Sequence, residues 1–86
     1  MPEICRFFGI SIRMYYNDHY PPHFHVVYGE QRALIDIRTL MIIDGRLSPR
    51  VLGMVMEWAA RHQEALMKLW EKAQNHQPLH RLPPLE

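Results

Sequence analysis

Between residues 10 and 16 apolar and polar side chains alternate, with Ile10, Ile12, Met14 and Tyr16 on one side and Ser11, Arg13 and Tyr15 on the other. A period of two is the pattern of a strand with one buried face. Residues 4–8 read as a short strand before it, and Gly9 marks a bend, bulge or tight turn between the two. Residues 23–28 and 31–38 read as two further strands joined by a hairpin turn at Gly29-Glu30, and a last strand follows over residues 41–44. The turn at Thr39-Leu40 carries no glycine, whereas Asp44-Gly45 supplies a clear turn pair after the last strand.

The period changes at Ser48-Pro49. Serine suits a helix N-cap, and proline suits the first helical position, where its missing N–H does no harm. From there Val51, Val55, Ala59, His62, Leu66, Leu69 and Ala73 recur at three- and four-residue steps. Leu52, Trp58 and Trp70 widen this stripe, and Arg61, Gln63, Glu64 and Lys68 lie opposite it. The pattern predicts one long helix. Beyond Asn75 the prolines, with Leu79, Leu82 and Leu85 at every third position, predict an extended tail lying in a groove of the domain itself or on a partner. The expected fold is therefore α+β: a small, mainly antiparallel sheet of four to five strands, with one long helix packed on one face. Residues 1–75 would form the single domain and residues 76–86 an extended Pro-rich C-terminal tail.

Eighty-six residues leave room for one small domain with a thin core. No stretch approaches the ~20 apolar residues that span a bilayer, so no membrane association is expected. The opening residues lack the basic-then-apolar order of a secretory signal, and one cysteine cannot form an internal disulfide, which together predict a cytoplasmic protein. Ten Lys and Arg against nine Asp and Glu leave bulk charge neutral towards nucleic acid, so such a contact must come from a local patch.

The candidate chemistry lies in Asp18-His19-Tyr20-Pro21-Pro22-His23-Phe24-His25, which holds three of the six histidines. Imidazole titrates near neutral pH and ligates metals, and Pro21 and Pro22 stiffen the entry to the next strand. A two-residue turn at Gly29-Glu30 places Tyr28 opposite Gln31, His25 opposite Leu34 and His23 opposite Asp36. A four-residue loop puts His25 opposite Asp36 instead. Either way His23, His25 and Asp36 share one face, and Phe24, Val26, Tyr28, Ala33, Ile35 and Ile37 share the core face. The histidines and Asp36 would then meet solvent, a partner or the tail.

Three readings of that face stay open. With Asp18 or His19 near, His23, His25 and Asp36 form a ligand set suited to zinc, iron or manganese. As an acid–base site, His23 or His25 serves as base and acid, Asp36 as orienter and Arg13 as phosphate binder. That describes a metal-independent ribonuclease acting on the ribose 2′-hydroxyl. The third reading is a polar strand face that binds a protein, with Asp18, His19 and Tyr20 as further partner or substrate contacts. Neither of the last two requires a cofactor.

Other residues have plainer expectations. His62 on the apolar stripe reads as a core histidine bonded to backbone, and Tyr15, Tyr16, Tyr20 and Tyr28 as packing residues rather than base-stacking ones. Trp58 and Trp70 read as core anchors, and Cys5 as an inert buried thiol.

The run Met1-Pro2-Glu3-Ile4, Arg6-Phe7-Phe8-Gly9-Ile10, Ile12-Arg13-Met14-Tyr15-Tyr16, Asp18-His19, Pro21-Pro22-His23-Phe24-His25 and Tyr28-Gly29-Glu30 resembles a small bacterial family, domain-of-unknown-function family 4160. The likeness continues through Ala33-Leu34-Ile35-Asp36-Ile37, Gly45-Arg46-Leu47, Glu57-Trp58-Ala59 and Pro78-Leu79. It departs at Leu40, where relatives tend to have glycine in the turn. The resemblance transfers no catalytic residue. It implies a place in a bacterial two-protein, toxin-antitoxin-like module, with this chain as a toxin. The partner would be a small protein encoded by a neighbouring gene, RNA a further target, and the sheet edges would leave room for a homodimer. The alternative is a non-enzymatic binding module that uses the histidine face and the tail.

Overall fold

The computed structural model describes residues 3–86, so the Met1-Pro2 start of the family-like run lies outside the described residues. Five strands form one antiparallel sheet in sequence order: β1 (Glu3–Phe7), β2 (Ile10–Arg13), β3 (His23–Tyr28), β4 (Gln31–Asp36) and β5 (Ile42–Arg46). Two helices follow, α1 (Pro49–Arg61) and α2 (Gln63–Gln74).

Alternation fixes which face is covered. Ile10, Ile12, Phe24, Val26, Ile35 and Ile37 are fully buried, in one cluster with Val51, Val55, Trp58, Leu66, Leu69 and Trp70 from the helices. Trp58 lies at the centre, its ring 5.7 Å from Phe7 and 6.1 Å from Phe24. The register counted from the hairpin is the one observed, with Tyr28 opposite Gln31, His25 opposite Leu34 and His23 opposite Asp36. Gly9 belongs to a two-residue turn in which Phe8 also takes a positive φ, 51° against 80° for Gly9, the twist that suits a tight hairpin. β2 is shorter than the alternating stretch, and Tyr16 lies exposed beyond it.

Three expectations are corrected. The single long helix breaks at His62, whose φ of −121° and ψ of 18° leave the helical region. His62 caps α1 through its backbone N–H to Ala59 O and starts α2 through its carbonyl, which accepts from Leu66 N. Its half-buried ring lies 5.2 Å from that of Trp58, and burial with the charge of Arg61 holds its pKa below the usual histidine range. Second, Ser48 is the N-cap residue of α1 but makes no side-chain cap bond; its N–H donates to Gln31 Oε1 instead.

Third, Asp44-Gly45 is no turn but part of β5. The ladder shifts register between Leu34 and Ile35, leaving Ile43 as the extra residue, and Gly45 takes φ 84° opposite Ala33. A Cβ there would lie 2.2 Å from Arg32 O, so glycine is required by close approach of β4. The turn before β5 runs through Leu40 at φ 60°, with Leu40 N–H bonded to Asp36 O. Leucine thus holds a conformation that glycine adopts freely, kept there by its half-buried packing on the core.

The tail is taken up by the domain. Leu82 and Leu85 are buried, Leu82 N–H donates to Ile4 O, and Pro83 O accepts from Trp58 Nε1 at 2.8 Å. Pro83 O also lies 3.6 Å from the buried Cys5 Sγ, whose pKa burial raises. Arg81 reaches Glu3 through the backbone oxygen at 3.2 Å and the carboxylate at 3.3 Å. The tail therefore covers the free edge of β1, as a sheet edge requires.

Two expected outcomes follow from this packing. Gly45→Ala should cost about 2 kcal/mol or more, read as a loss of folding free energy in urea, because the added methyl meets backbone and the φ is unsuited to alanine. The Ser11 hydroxyl bond, aided by Arg6 and Arg81 against the opposing effect of burial, holds the Glu3 carboxyl below its ordinary pKa. A depressed folded value means that this stabilisation is present above the unfolded pKa and is lost as pH falls through the folded one. The gap in melting temperature between wild type and Glu3→Gln should be full at pH 7 and close below about pH 4.

Candidate metal centre

After β2 the chain leaves the sheet and is fastened to the end of α2. Asn17, at φ 56°, donates its N–H to Ala73 O at 3.2 Å, and Gln74 Nε2 donates to Asp18 O at 2.9 Å. The Tyr16 ring stacks on that of His76 at 6.2 Å and 4°. These contacts aim Asp18 at the start of β3, where Pro21 and Pro22 deliver His23. Pro22 O is tied in turn by Ile37 N–H.

One carboxylate oxygen joins the histidines. Asp18 Oδ2 lies 3.0 Å from His23 Nε2 and 3.0 Å from His25 Nε2. Asp18 Oδ1 accepts the N–H of His19 at 2.9 Å, with the exposed His19 ring 3.1 Å away. Burial pushes the Asp18 pKa up, but the His25 bond, the His19 N–H and the charges of His23 and His25 outweigh it and hold the group below the usual carboxylate range. Asp18 is thus an anion at neutral pH.

His23 carries the main constraint. Its Nδ1 lies 2.7 Å from Pro21 O, and a carbonyl only accepts, so Nδ1 holds a proton. In the neutral ring Nε2 then presents a lone pair to a carboxylate, and the two repel. Either a second proton on His23 or a cation between the groups must resolve this. The ring is 1% exposed and lies 5.2 Å from Trp70. A histidine with Nδ1–H on a backbone carbonyl and Nε2 turned inwards is the usual arrangement of a metal ligand. The donor atoms of Asp18, His23 and His25 all lie within 4.8 Å of one another. An ion with bonds of roughly 2.0–2.2 Å fits such a set after small side-chain rotations.

The other expected residues divide. His25 is half-buried, with Tyr15 edge-on at 4.6 Å, and it lines a cleft of about 240 Å³ together with Tyr15, Arg32 and Asp44. Arg13 stands opposite His25 and donates Nε to Ser11 Oγ at 3.0 Å. Tyr20 is exposed and edge-on to Trp70. Asp36 faces His23 across the ladder as counted, but its Oδ1 accepts from Arg38 N at 2.7 Å and Thr39 N at 3.1 Å. It caps the following turn rather than orienting a histidine. His23 does not meet solvent as expected, because Asp18 and Trp70 enclose it. Trp70 as a wall of the site was not foreseen; its place on the helix stripe signals burial and not the neighbour it meets.

The fold and site define a small α+β protein with a histidine–carboxylate centre where a pinned loop meets an inner strand. Residues 9–71 match the model of DUF4160, a domain of unknown function, and the chain belongs to that family. The matched span contains Asp18, His23 and His25. Comparison with curated proteins and with solved structures gives no match.

The two aspartates should separate experimentally. Asp36→Ala is expected to cost about 1–2 kcal/mol through the lost turn bonds while leaving the imidazole NMR signals of His23 and His25 in place. Asp18→Asn should move both sets of signals.

Proposed function

We propose that this protein binds a divalent transition metal through Asp18, His23 and His25, and acts through that centre as the toxin-like member of a bacterial two-protein module. The observation that carries the metal is the convergence of the three donor atoms, with the His23 Nδ1 proton committed to Pro21 O. Two histidines and one carboxylate leave coordination positions free for water or substrate. A bound ion there supplies Lewis-acid chemistry or an activated water. His25, at the cleft, is the ligand nearest to any incoming molecule, while His23 and Trp70 close the inner side. The module and the neighbouring-gene partner rest on the family resemblance, and a cytoplasmic setting on the single cysteine. No helix of the described residues is long and apolar enough to cross a membrane.

A metal-independent ribonuclease remains the second reading, favoured by the bond from Asp18 to His25, which orients that ring at the cleft mouth. Burial of His23 counts against it, since one of its two acid–base groups cannot reach a substrate.

Protein purified without an affinity tag should carry close to one equivalent of metal by elemental analysis. The chelator-stripped form should gain about 10 °C or more in melting temperature at a zinc concentration near 100 times the dissociation constant. His25→Ala, at a half-buried position, should fold and lose both effects. Stripped protein that neither binds nor responds to zinc, manganese or iron(II) would end the metal reading. For the module, expression of the chain alone should arrest growth, co-expression of its genomic neighbour should relieve the arrest, and His25→Ala should abolish it.

A further inference from the structure

The strand registers lay out two rows of side chains across the face that the helices leave open. One runs Arg6, Ser11, Val27, Arg32, Arg46, and the next runs Glu3, Arg13, His25, Leu34, Asp44. Cross-strand partners share a face, so both rows belong to one surface. Glu3 pairs with Arg6 at 2.9 Å and with Arg81 at 3.3 Å, which neutralises the β1 end. The other end differs. Arg32 and Arg46 are exposed and directly opposite each other, and neither has an ion pair among the described residues. Arg13, beside His25, donates its one side-chain hydrogen bond among the described residues to the Ser11 hydroxyl and has no ion pair among them. Like charges facing each other across a ladder destabilise it unless an anion lies between them.

Arg32 shares a cleft with one residue of the candidate centre, His25. Arg32 lines the cleft that holds His25, Tyr15 and Asp44, and it also lines a second, broader depression of about 580 Å³ with Arg46, Glu30, Gln31 and Ser48. A ligand bound at His25 therefore continues past Arg32 towards Arg46 over open sheet. The first cleft is below the roughly 300–1,000 Å³ of a small-molecule site and the second within it, and because Arg32 lines both, an extended ligand can occupy the two together. Arginines along its path and an aromatic edge at its start are the elements by which proteins hold a single-stranded nucleic acid backbone.

We propose that the open sheet face binds single-stranded RNA, with Arg32 and Arg46 gripping backbone phosphates and Arg13 and Tyr15 placing the adjoining nucleotide at His25. This rests on the reading that the centre acts on a substrate, and it names that substrate as a phosphodiester. The metal ligands sit at one end of the path and the arginine pair at the other, so the pair supplies grip rather than chemistry.

The test is fluorescence anisotropy of a labelled 12-nucleotide RNA with chelator-stripped wild-type protein, so that failure of the metal reading leaves this readout intact. Wild type should bind, with an affinity that falls as salt rises. The double variant Arg32→Gln/Arg46→Gln should lose roughly tenfold in affinity, and its salt slope should shrink by about 1.4, the single-strand value for two phosphate contacts. Both substitutions are on exposed side chains and remove a facing like-charge pair, so a far-ultraviolet spectrum equal to wild type and a melting temperature at or above it are expected. Adenosine monophosphate should compete only at far higher concentration. Equal affinity for RNA in wild type and the double variant, or absence of RNA binding by wild type, overturns the proposal. Competition by the mononucleotide as effective as by the RNA overturns the extended path and reduces the site to a single phosphate.

Discussion

The site depends on one carboxylate held in place from outside the sheet. Asp18 belongs to no strand, and what aims it at the two imidazoles is the loop's attachment to the end of α2, through Asn17 to Ala73 and Gln74 to the Asp18 carbonyl. The sheet supplies the histidines, and the loop that α2 holds in place supplies the counter-charge. Anything that shifts α2 against β3 therefore moves Oδ2 relative to both Nε2 atoms. The break at His62 separates α2, which carries this attachment, from α1.

Much of this was legible in the sequence. Alternation gave the buried face of the strands, the Gly29-Glu30 spacing gave the β3–β4 register, and the helix stripe named the buried residues from Val51 to Ala73 apart from Leu52 and His62, which are only half-buried. What was not legible depends on contacts between distant parts of the chain. The helical period continues unbroken through His62, so nothing local marks a residue that leaves the helix in order to pack beside Trp58. Asp44-Gly45 has the composition of a turn, and only the approach of Arg32 O shows why a strand needs glycine there.

The site shows the same limit. The ladder count placed Asp36 opposite His23, and that pairing is observed. A shared register position is not a bond, however, and the short Asp36 side chain finds the free N–H groups of its own turn first. Asp18 reaches the histidines although it is five residues from His23, because two prolines and a helix contact fold the loop back. Pattern reasoning finds residues on one face readily. It does not find a residue that arrives there from a loop.

The strap formed by Leu82, Pro83 and Leu85 gives the molecule an order of assembly. Contacts join residues 78 positions apart, from Cys5 to Pro83 and from Glu3 to Arg81. Such closures carry the largest loop entropy in the chain and form late. β1 precedes the strap by most of the described residues, so the strand edge it offers stays bare until the strap has been made. Until then the indole of Trp58 lacks its acceptor and the β1 edge is open to other strands. Quality control in the cell would therefore sense a truncated chain at its first strand rather than at its missing end.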